Sequence, residues 1–172
     1  DGKVLELPVG SAIIKTFYYD NVQNTTPVGA TLLVETRIMI RKIDGWIFAD
    51  YVWNDDQTEA YLDLQGSNKT INWLDENNIT KTVNYRIPNE VQCITCHKAK
   101  ENINGLDVDV FTPIGIKPQN LNFDYSYSTE TKNQLLKWID HGYLENNFNL
   151  PSRENTTIDY NDTSKSIELR AR

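Results

Sequence analysis

Residues 30–54, ATLLVETRIMIRKIDGWIFADYVWN, decide the fold of this chain. Both halves of the segment are rich in β-branched and aromatic residues, which favour extended backbone. Between the halves, Asp44 and Gly45 form an Asp-Gly pair, a dipeptide typical of tight hairpin turns. The segment therefore predicts two antiparallel strands joined by a short turn.

Further strands are predicted on both sides of this hairpin. The run SAIIKTFYY at 11–19 precedes it, and the runs AYLDLQG at 60–66 and KTVNYRI at 81–87 follow it. The polar segment at 67–80 is rich in Asn and Asp, and we expect it to be a turn region between the last two runs. The sequence up to residue 87 thus predicts a small antiparallel sheet.

The only two cysteines of the chain lie together in VQCITCHKAK, residues 91–100, and a histidine follows them directly. In a Cys-x-x-Cys-His motif the two thiols add across the vinyl groups of a haem, and the imidazole ligates its iron. The alternatives are a redox disulfide, chance, and a zinc site, for which His141 is the only further Cys or His ligand. We expect one covalently bound haem c.

A short helix is predicted to begin at this motif. Pro88 ends the preceding strand, Asn89 is a good N-cap residue, and Glu90 follows in the first turn. A carboxylate in the first turn is stabilised by the helix dipole. We therefore expect the haem motif to lie on a helix.

The region after the motif is predicted to be a loop followed by a helix. Residues 98–128 are rich in Gly, Pro and Asn, and we expect a long loop that wraps the edge of the haem. The stretch TETKNQLLKWIDHGYL, residues 129–144, has an apolar stripe at helical spacing. Ser128 or Thr129 would cap this helix, and Gly142 would end it.

Charge and hydropathy exclude several classes of partner. The net charge of −7 and the pI near 4.8 argue against nucleic acid and anionic lipid surfaces, and favour a basic electron-transfer protein. No apolar run reaches the roughly 18 residues of a membrane helix.

Residues 1–10 lack the features of a signal peptide. Because haem c is attached outside the cytoplasm, we expect a periplasmic or extracellular protein whose secretion signal has been removed.

Much of the chain resembles the first haem module of a family of bacterial di-haem c-type cytochromes. The resemblance lies in YRIPNEVQCITCH (85–97), PIGIKPQNLN (113–122) and NQLLKW (133–138). Upstream, the segments that look like the β-rich part of that family are LPVGSAIIKTFYY, ETRIMIRKIDGW and YVWNDDQTEAYL. In such proteins a segment like ELRAR (168–172) leads into a second Cys-x-x-Cys-His module, which this sequence does not contain.

The resemblance implies an α+β fold, in which a small antiparallel β-rich segment packs on a c-type cytochrome-like haem module with few short helices. On this expectation, residues 1–87 form the β-rich segment and residues 88–147 form the haem module. Residues 148–172 are polar and weakly patterned, and we expect a strap or a linker towards a second haem module.

The motif assigns the roles of three residues. Cys93 and Cys96 would hold the macrocycle, and His97 would be the proximal iron ligand. Similarity to small c-type cytochromes implies that the second ring nitrogen of His97 donates to a backbone carbonyl near Pro113. A plain turn is the other interpretation of the TPIG segment that contains Pro113.

The remaining contacts of a haem are less constrained by the sequence. Lys117, or Arg86 beside the motif, would pair with a propionate, although both also suit a solvated surface. His141 is our distal-ligand candidate, and its alternative is a histidine held by the last turn of its helix. Met39, a Lys or Tyr from the long loop, and an open iron are the other options for the sixth position.

Electron transfer is the function that these features favour. An electron carrier requires a redox partner protein or a neighbouring haem module and no bound substrate, so we expect no enzyme. The alternatives are a haem peroxidase or small-molecule site with an open distal position, and a structural haem subunit of a larger multi-haem assembly.

Overall fold

The computed structural model describes residues 4–145 and 147–150, which divide into two compact units. The sheet unit comprises residues 7–112, and the small unit comprises the described residues before Leu7 and after Thr112. Of the described residues, 48% lie in strands and 12% in helices, so the chain is mostly β.

The sheet unit is built on a curled, six-stranded antiparallel sheet. The strand order is β4-β3-β2-β1-β5-β6. Its strands are β1 (Ala12–Val22), β2 (Ala30–Lys42), β3 (Gly45–Trp53), β4 (Ala60–Leu62), β5 (Ser67–Leu74) and β6 (Thr80–Ile87). After β6 the unit continues with α1 (Glu90–Cys96), β7 (Lys98–Ile103) and β8 (Leu106–Phe111).

The hairpin predicted for residues 30–54 is confirmed. β2 and β3 pair in continuous register from Glu35 opposite Val52 to Lys42 opposite Gly45. The backbone of Gly45 has a φ of 136°, in a region that side chains other than glycine rarely adopt. The Asp-Gly pair thus occurs at the turn because Gly45 can begin β3 in this conformation.

The polar segment at 67–80, expected to be a turn region, is instead largely strand. β5 pairs with β6 over its whole length, and Ile71 in its middle is fully buried. Ile71 forms the core with four buried residues of three other strands, Val22, Leu32, Val34 and Ile87. Burial of these few apolar side chains outweighs the low β propensity of the Asn residues around them.

A register shift in β2 breaks the alternation of buried and exposed residues. Phe17 lies opposite Glu35 and Tyr18 lies opposite Leu33, so Val34 is an extra residue between the two pairs. Such a bulge bends the strand and re-aims its side chains. As a result, both Val34 and Glu35 are fully buried although they are consecutive in sequence.

Residues 98–111 form a β-hairpin, so the long loop predicted for residues 98–128 is wrong there. β7 and β8 pair from Lys98 opposite Phe111 to Ile103 opposite Leu106. The connecting residues Asn104 and Gly105 both have positive φ, 54° and 84°. This is the Asn-Gly turn whose twist matches that of paired strands, and it closes the hairpin.

The small unit contains α2 (Pro118–Leu121), β9 (Asp124–Ser126), β10 (Thr131–Asn133) and α3 (Gln134–Asp140). The predicted helix is present, but it begins later than expected because Thr131–Asn133 pair with β9. Its N-cap is Asn133, whose side chain accepts hydrogen bonds from the next turn, and not Ser128 or Thr129. Gly142, with a φ of 71°, follows its end as predicted.

The expected α+β fold, with a cytochrome-like helical haem module, is wrong. The described helices have only seven, four and seven residues. The chain after the motif alternates polar and apolar residues around Asn104 and Gly105, and it pairs as strands in place of wrapping a cofactor. Most of the predicted segment 148–172 lies outside the described residues.

Candidate functional site

The Cys-x-x-Cys-His motif lies on α1, and this helix begins with the capping residue that the sequence predicts. Asn89 accepts a 2.9 Å hydrogen bond from the backbone N–H of Gln92, whose side-chain oxygen accepts a 3.0 Å bond from the backbone N–H of Asn89. This reciprocal capping box satisfies two backbone donors at the helix start. Arg86 on β6 donates to the same Gln92 oxygen at 3.2 Å. The first turn of α1 is therefore fixed before the motif begins.

The two cysteines of α1 are both thiols. Cys93 is partly buried and Cys96 is exposed. Burial raises the pKa of the Cys93 thiol. Arg37 opposes this increase, and the carboxylates Asp50, Glu35 and Glu90 each add a smaller one. A redox-active cysteine needs a lowered pKa, so this environment disfavours the thioredoxin-like interpretation.

His97 ends α1 and has both backbone and side-chain partners. Its backbone N–H donates to the Cys93 carbonyl at 3.0 Å, and its own carbonyl accepts from the Thr112 N–H at 3.0 Å. The Nδ1 atom of its ring lies 3.0 Å from the carbonyl oxygen of Thr112. Because a carbonyl can only accept, Nδ1 carries the proton in this bond and Nε2 keeps the lone pair.

The surroundings of His97 keep its ring uncharged. Burial lowers the pKa of the imidazole, Arg37 and Lys15 lower it further, and the bond to Thr112 opposes them. The ring packs edge-on against Phe48 of β3, with ring centres 5.1 Å apart, and Phe48 in turn contacts Phe111 of β8 at 4.8 Å. A neutral, oriented imidazole is the form in which histidine ligates a metal.

The carbonyl that holds His97 belongs to Thr112, the residue immediately before Pro113. Pro113 itself is buried. The Thr112 partner follows from the β7–β8 hairpin, because His97 and Thr112 extend the ladder by one position beyond Lys98 and Phe111. Similarity to small c-type cytochromes implied an acceptor near Pro113, but the hairpin that brings the Thr112 carbonyl to His97 was not predicted.

The face of β2 and β3 next to α1 carries a cluster of buried charges that sequence reasoning missed. Glu35 is fully buried and Asp50 is 7% exposed. Arg37 binds Glu35 Oε1 at 2.5 Å, and its Nε lies 3.8 Å from Asp50 Oδ2. Tyr85 from β6 donates to Glu35 Oε1 at 2.6 Å. In the sequence, the three charged residues are visible only as charged positions within the apolar runs of β2 and β3. The alternation of residues along a strand does not by itself show that such positions face the interior.

These groups shift each other's pKa values. Burial opposes ionisation of Glu35, but the interactions of its carboxyl with Asp50, Arg37 and Tyr85 outweigh burial and lower the pKa of Glu35. Burial, and then the interaction with Glu35, raise the pKa of Asp50 to about 8. Burial and the bond to Glu35 also raise the pKa of Tyr85. Two adjacent carboxyls with opposite shifts share one proton more readily than they hold two charges.

A solvent-open cleft connects this cluster to the motif. The space between its walls, with open solvent included, is about 330 Å³, and it is lined by Arg37, Phe48, Ala49, Asp50, Asp63, Leu64, Glu90 and Cys93. Asp50 reaches the cleft from β3, and Cys93 reaches it from α1. The buried carboxyl and the motif thiol therefore share one cavity.

The remaining predicted site residues belong to other elements of the chain. Lys117 is the N-cap residue of α2 in the small unit, and Met39 is a buried residue opposite Phe48 in the sheet. His141 is an exposed residue at the C-terminus of α3, where its backbone N–H donates to Lys137 and its ring stacks on Tyr143 at 5.9 Å. The assignment of His141 as a distal ligand and of Lys117 as a propionate partner stays a prediction.

Among residues 4–145 and 147–150, no group of three or more His, Cys, Asp and Glu side chains is arranged to hold a metal ion. No helix in this part of the chain is long and apolar enough to cross a bilayer. Comparison of the chain with models of known protein families, with curated proteins and with solved structures found no match.

Proposed function

We propose that this chain carries one haem c and transfers electrons, with Cys93 and Cys96 as the attachment residues and His97 as the iron ligand. The hydrogen bond from His97 Nδ1 to the Thr112 carbonyl carries this proposal. It leaves Nε2 as the basic nitrogen of a neutral ring directly after two thiols. Ligating histidines in metal sites are oriented by this kind of second bond.

The chemistry and placement of the cysteines also fit covalent haem. Each thioether forms when a thiol S–H adds across a vinyl C=C bond, so the attachment consumes two thiols and no oxidant. Cys93 and Cys96 are thiols at the two ends of one helical turn, and neither is fully buried. Bound there, a haem would supply a one-electron iron couple.

The proposal depends on the motif and its immediate contacts, because the surrounding fold is not cytochrome-like. In this chain a β-hairpin, and not a loop, brings the carbonyl of Thr112 to His97. Phe48 packs against one side of the imidazole, and Phe111 packs against Phe48. These residues orient the ligand and exclude water, which are the protein's contributions to a haem site.

Location and partners follow from the same proposal. Covalent haem attachment takes place outside the cytoplasm, so the protein would act in a periplasm or outside the cell. A chain with a net charge of −7 would be steered towards a basic redox protein or haem module. Association with such a partner should weaken as ionic strength rises.

The test is expression in a host that matures c-type cytochromes, followed by a pyridine haemochrome assay under denaturing conditions. We expect one haem per chain with the spectrum of two thioethers. Cys93→Ala or Cys96→Ala should shift this spectrum to that of one thioether, and the double variant should lose the haem. His97→Ala should keep the haem attached but change the native spectrum, because the axial imidazole is lost.

Thr95→Ala is the matched control, because Thr95 is an exposed residue of the same helix between the two cysteines. It should leave haem content and spectra unchanged. Absence of covalent haem from the wild-type protein in a maturation-competent host would overturn the proposal. A native spectrum that shifts readily with carbon monoxide would show an open sixth position and favour small-molecule chemistry over electron transfer.

A further inference from the structure

The buried charges beside α1 do not balance when all of them are ionised. Glu35 and Asp50, hereafter the carboxyl pair, are both negative when deprotonated, and among the described residues only Arg37 forms an ion pair with them. Arg37 is itself 33% exposed, whereas Glu35 is fully buried. One negative charge in excess at a site removed from water is strongly unfavourable.

A proton resolves both the charge and the hydrogen bonding. Glu35 Oε2 and both carboxyl oxygens of Asp50 are buried without a hydrogen-bond donor. Two carboxylates cannot donate to each other, but a protonated Asp50 would donate to Glu35 Oε2 and satisfy atoms on both side chains. The pKa of Asp50, raised to about 8 mainly by burial, agrees with this geometry.

The carboxyl pair lies beside the cleft and has an electrostatic connection to the motif. Asp50 lines the solvent-open cleft that Cys93 also lines, although its carboxyl oxygens are themselves buried. Both Asp50 and Glu35 act on the pKa of the Cys93 thiol. A charge change on a group bonded to Cys93 would therefore act back on the pair through the protein interior, where charges interact more strongly than in water.

We propose that, at pH values close to that at which Asp50 titrates, the carboxyl pair binds one proton from solvent when a haem attached at Cys93 receives one electron, and that it releases the proton when the electron leaves. This inference rests on the proposed function of the motif. The electron comes from a one-electron donor protein and converts ferric iron to ferrous iron. The proton converts one carboxylate of the pair to a carboxylic acid, and no other bond changes.

The direction follows from electrostatics. Reduction removes one positive charge near the pair, so the pair's remaining negative charge is less stabilised and its proton affinity rises. The other titratable or charged groups that face the pair or the cleft are Arg37, Asp63, Tyr85, Glu90 and Cys93. Arg37 favours the ionised form of Asp50 and Asp63 opposes it, while Tyr85 donates to Glu35.

The first test is the reduction potential of the haem-loaded protein, measured by spectroelectrochemical titration over about three pH units centred on the Asp50 pKa of about 8. The reduction equilibrium constant should fall with rising pH by up to tenfold per pH unit, which is about 59 mV for a one-electron couple. In Asp50→Asn this slope should be largely lost. Asp44→Asn changes an exposed carboxyl in the turn before the same strand, and it should keep the wild-type slope. Equal slopes in wild type and Asp50→Asn would overturn the proposal.

A second test uses only the wild-type protein, so it does not depend on whether a variant folds. The reduced-minus-oxidised infrared spectrum of the wild-type protein should gain a protonated-carboxyl C=O band, and its absence would also overturn the proposal. The two failures can be told apart. A protein without covalent haem removes the proposed function and this inference together, whereas a protein that carries haem but shows neither the pH slope nor the band removes the inference alone.

Discussion

The hydroxyl group of Tyr85 on β6 donates a 2.6 Å hydrogen bond to Oε1 of Glu35 on β2, although β1 and β5 lie between these two strands in the sheet. β1 and β5 pair only where Val22 lies opposite Trp73, so the strands diverge beyond that point. The sheet therefore curls, and its inner face brings residues 50 positions apart in sequence into contact.

Removing this hydroxyl should destabilise the fold. In Tyr85→Phe, the buried carboxylate of Glu35 loses one donor and keeps Arg37. A hydrogen bond to a charged group contributes about 1.5–3 kcal/mol, so we expect the free energy of unfolding to fall by about 2 kcal/mol. Urea denaturation followed by tryptophan fluorescence measures this change.

Tyr61→Phe provides the control. Tyr61 donates a hydrogen bond of the same length, 2.6 Å, to Glu59, but both residues are exposed. Its removal should leave the urea midpoint almost unchanged because water replaces the partner. Equal losses in the two variants would show that burial of Glu35 does not strengthen its bond to Tyr85.

Stability should depend on pH through Asp50. Between the ordinary value of 3.8 and the raised pKa of about 8, the folded chain holds a proton that the unfolded chain has released. The free energy of unfolding therefore falls as pH rises through this range, by at most about 1.4 kcal/mol per pH unit. Glu35 acts oppositely: its lowered pKa stabilises the fold above 4.5, and this contribution is lost as pH falls below that value.

Asp50→Asn should flatten the profile above pH 4.5, because an amide binds no proton in either state. Urea titrations at several pH values measure the slope, and Asp44→Asn, whose carboxyl is exposed, should retain it. A profile of Asp50→Asn that parallels wild type would contradict the assignment of the proton to this residue.

Gly66, the residue before β5, should be irreplaceable because it packs closely against the chain that leads into α1. Its φ is 72°, and an added Cβ would lie 2.7 Å from the Ile87 carbonyl oxygen and 2.8 Å from the Asn89 nitrogen. These are backbone atoms at the end of β6 and the N-cap of α1, so relief requires moving the helix. We expect Gly66→Ala to cost more than the roughly 1–2 kcal/mol of a positive φ alone, measured by urea denaturation.

Gly105→Ala separates the cost of a positive φ from the cost of the steric clash of an added Cβ. Gly105 also has positive φ, 84°, but no atom lies within 4 Å of its added Cβ. It should show the conformational cost alone, about 1–2 kcal/mol. If Gly66→Ala were no more destabilising than Gly105→Ala, the close approach at Asn89 would not constrain the helix.

The N-cap of α1 should contribute measurably to stability. Asn89→Ala removes the side-chain acceptor of the Gln92 N–H, so the free energy of unfolding should fall by about 1 kcal/mol. Asn84→Ala, an exposed position on β6, should change it by less than about 0.5 kcal/mol. The same urea assay reports both variants, and indistinguishable midpoints would argue against the capping role.

The sequence predicted part of the fold because local signals were strong and consistent. The β2–β3 hairpin follows from its alternating runs and Gly45, and the start of α1 follows from Asn89. The β7–β8 hairpin was missed although Asn104 and Gly105 are a strong turn signal, because the Gly and Pro content of 98–128 favoured a loop.

The sequence by itself determined the chemistry that the motif can offer: two thiols and an imidazole at fixed spacing on a capped helix. Only the tertiary structure decided what surrounds them. The Thr112 carbonyl reaches His97 through strand pairing, and Glu35 is buried because a register shift at Val34 turns it inward. Spacing along the chain sets local geometry, whereas pairing register and bulges set which distant groups share a buried site, and these depend on the whole sheet.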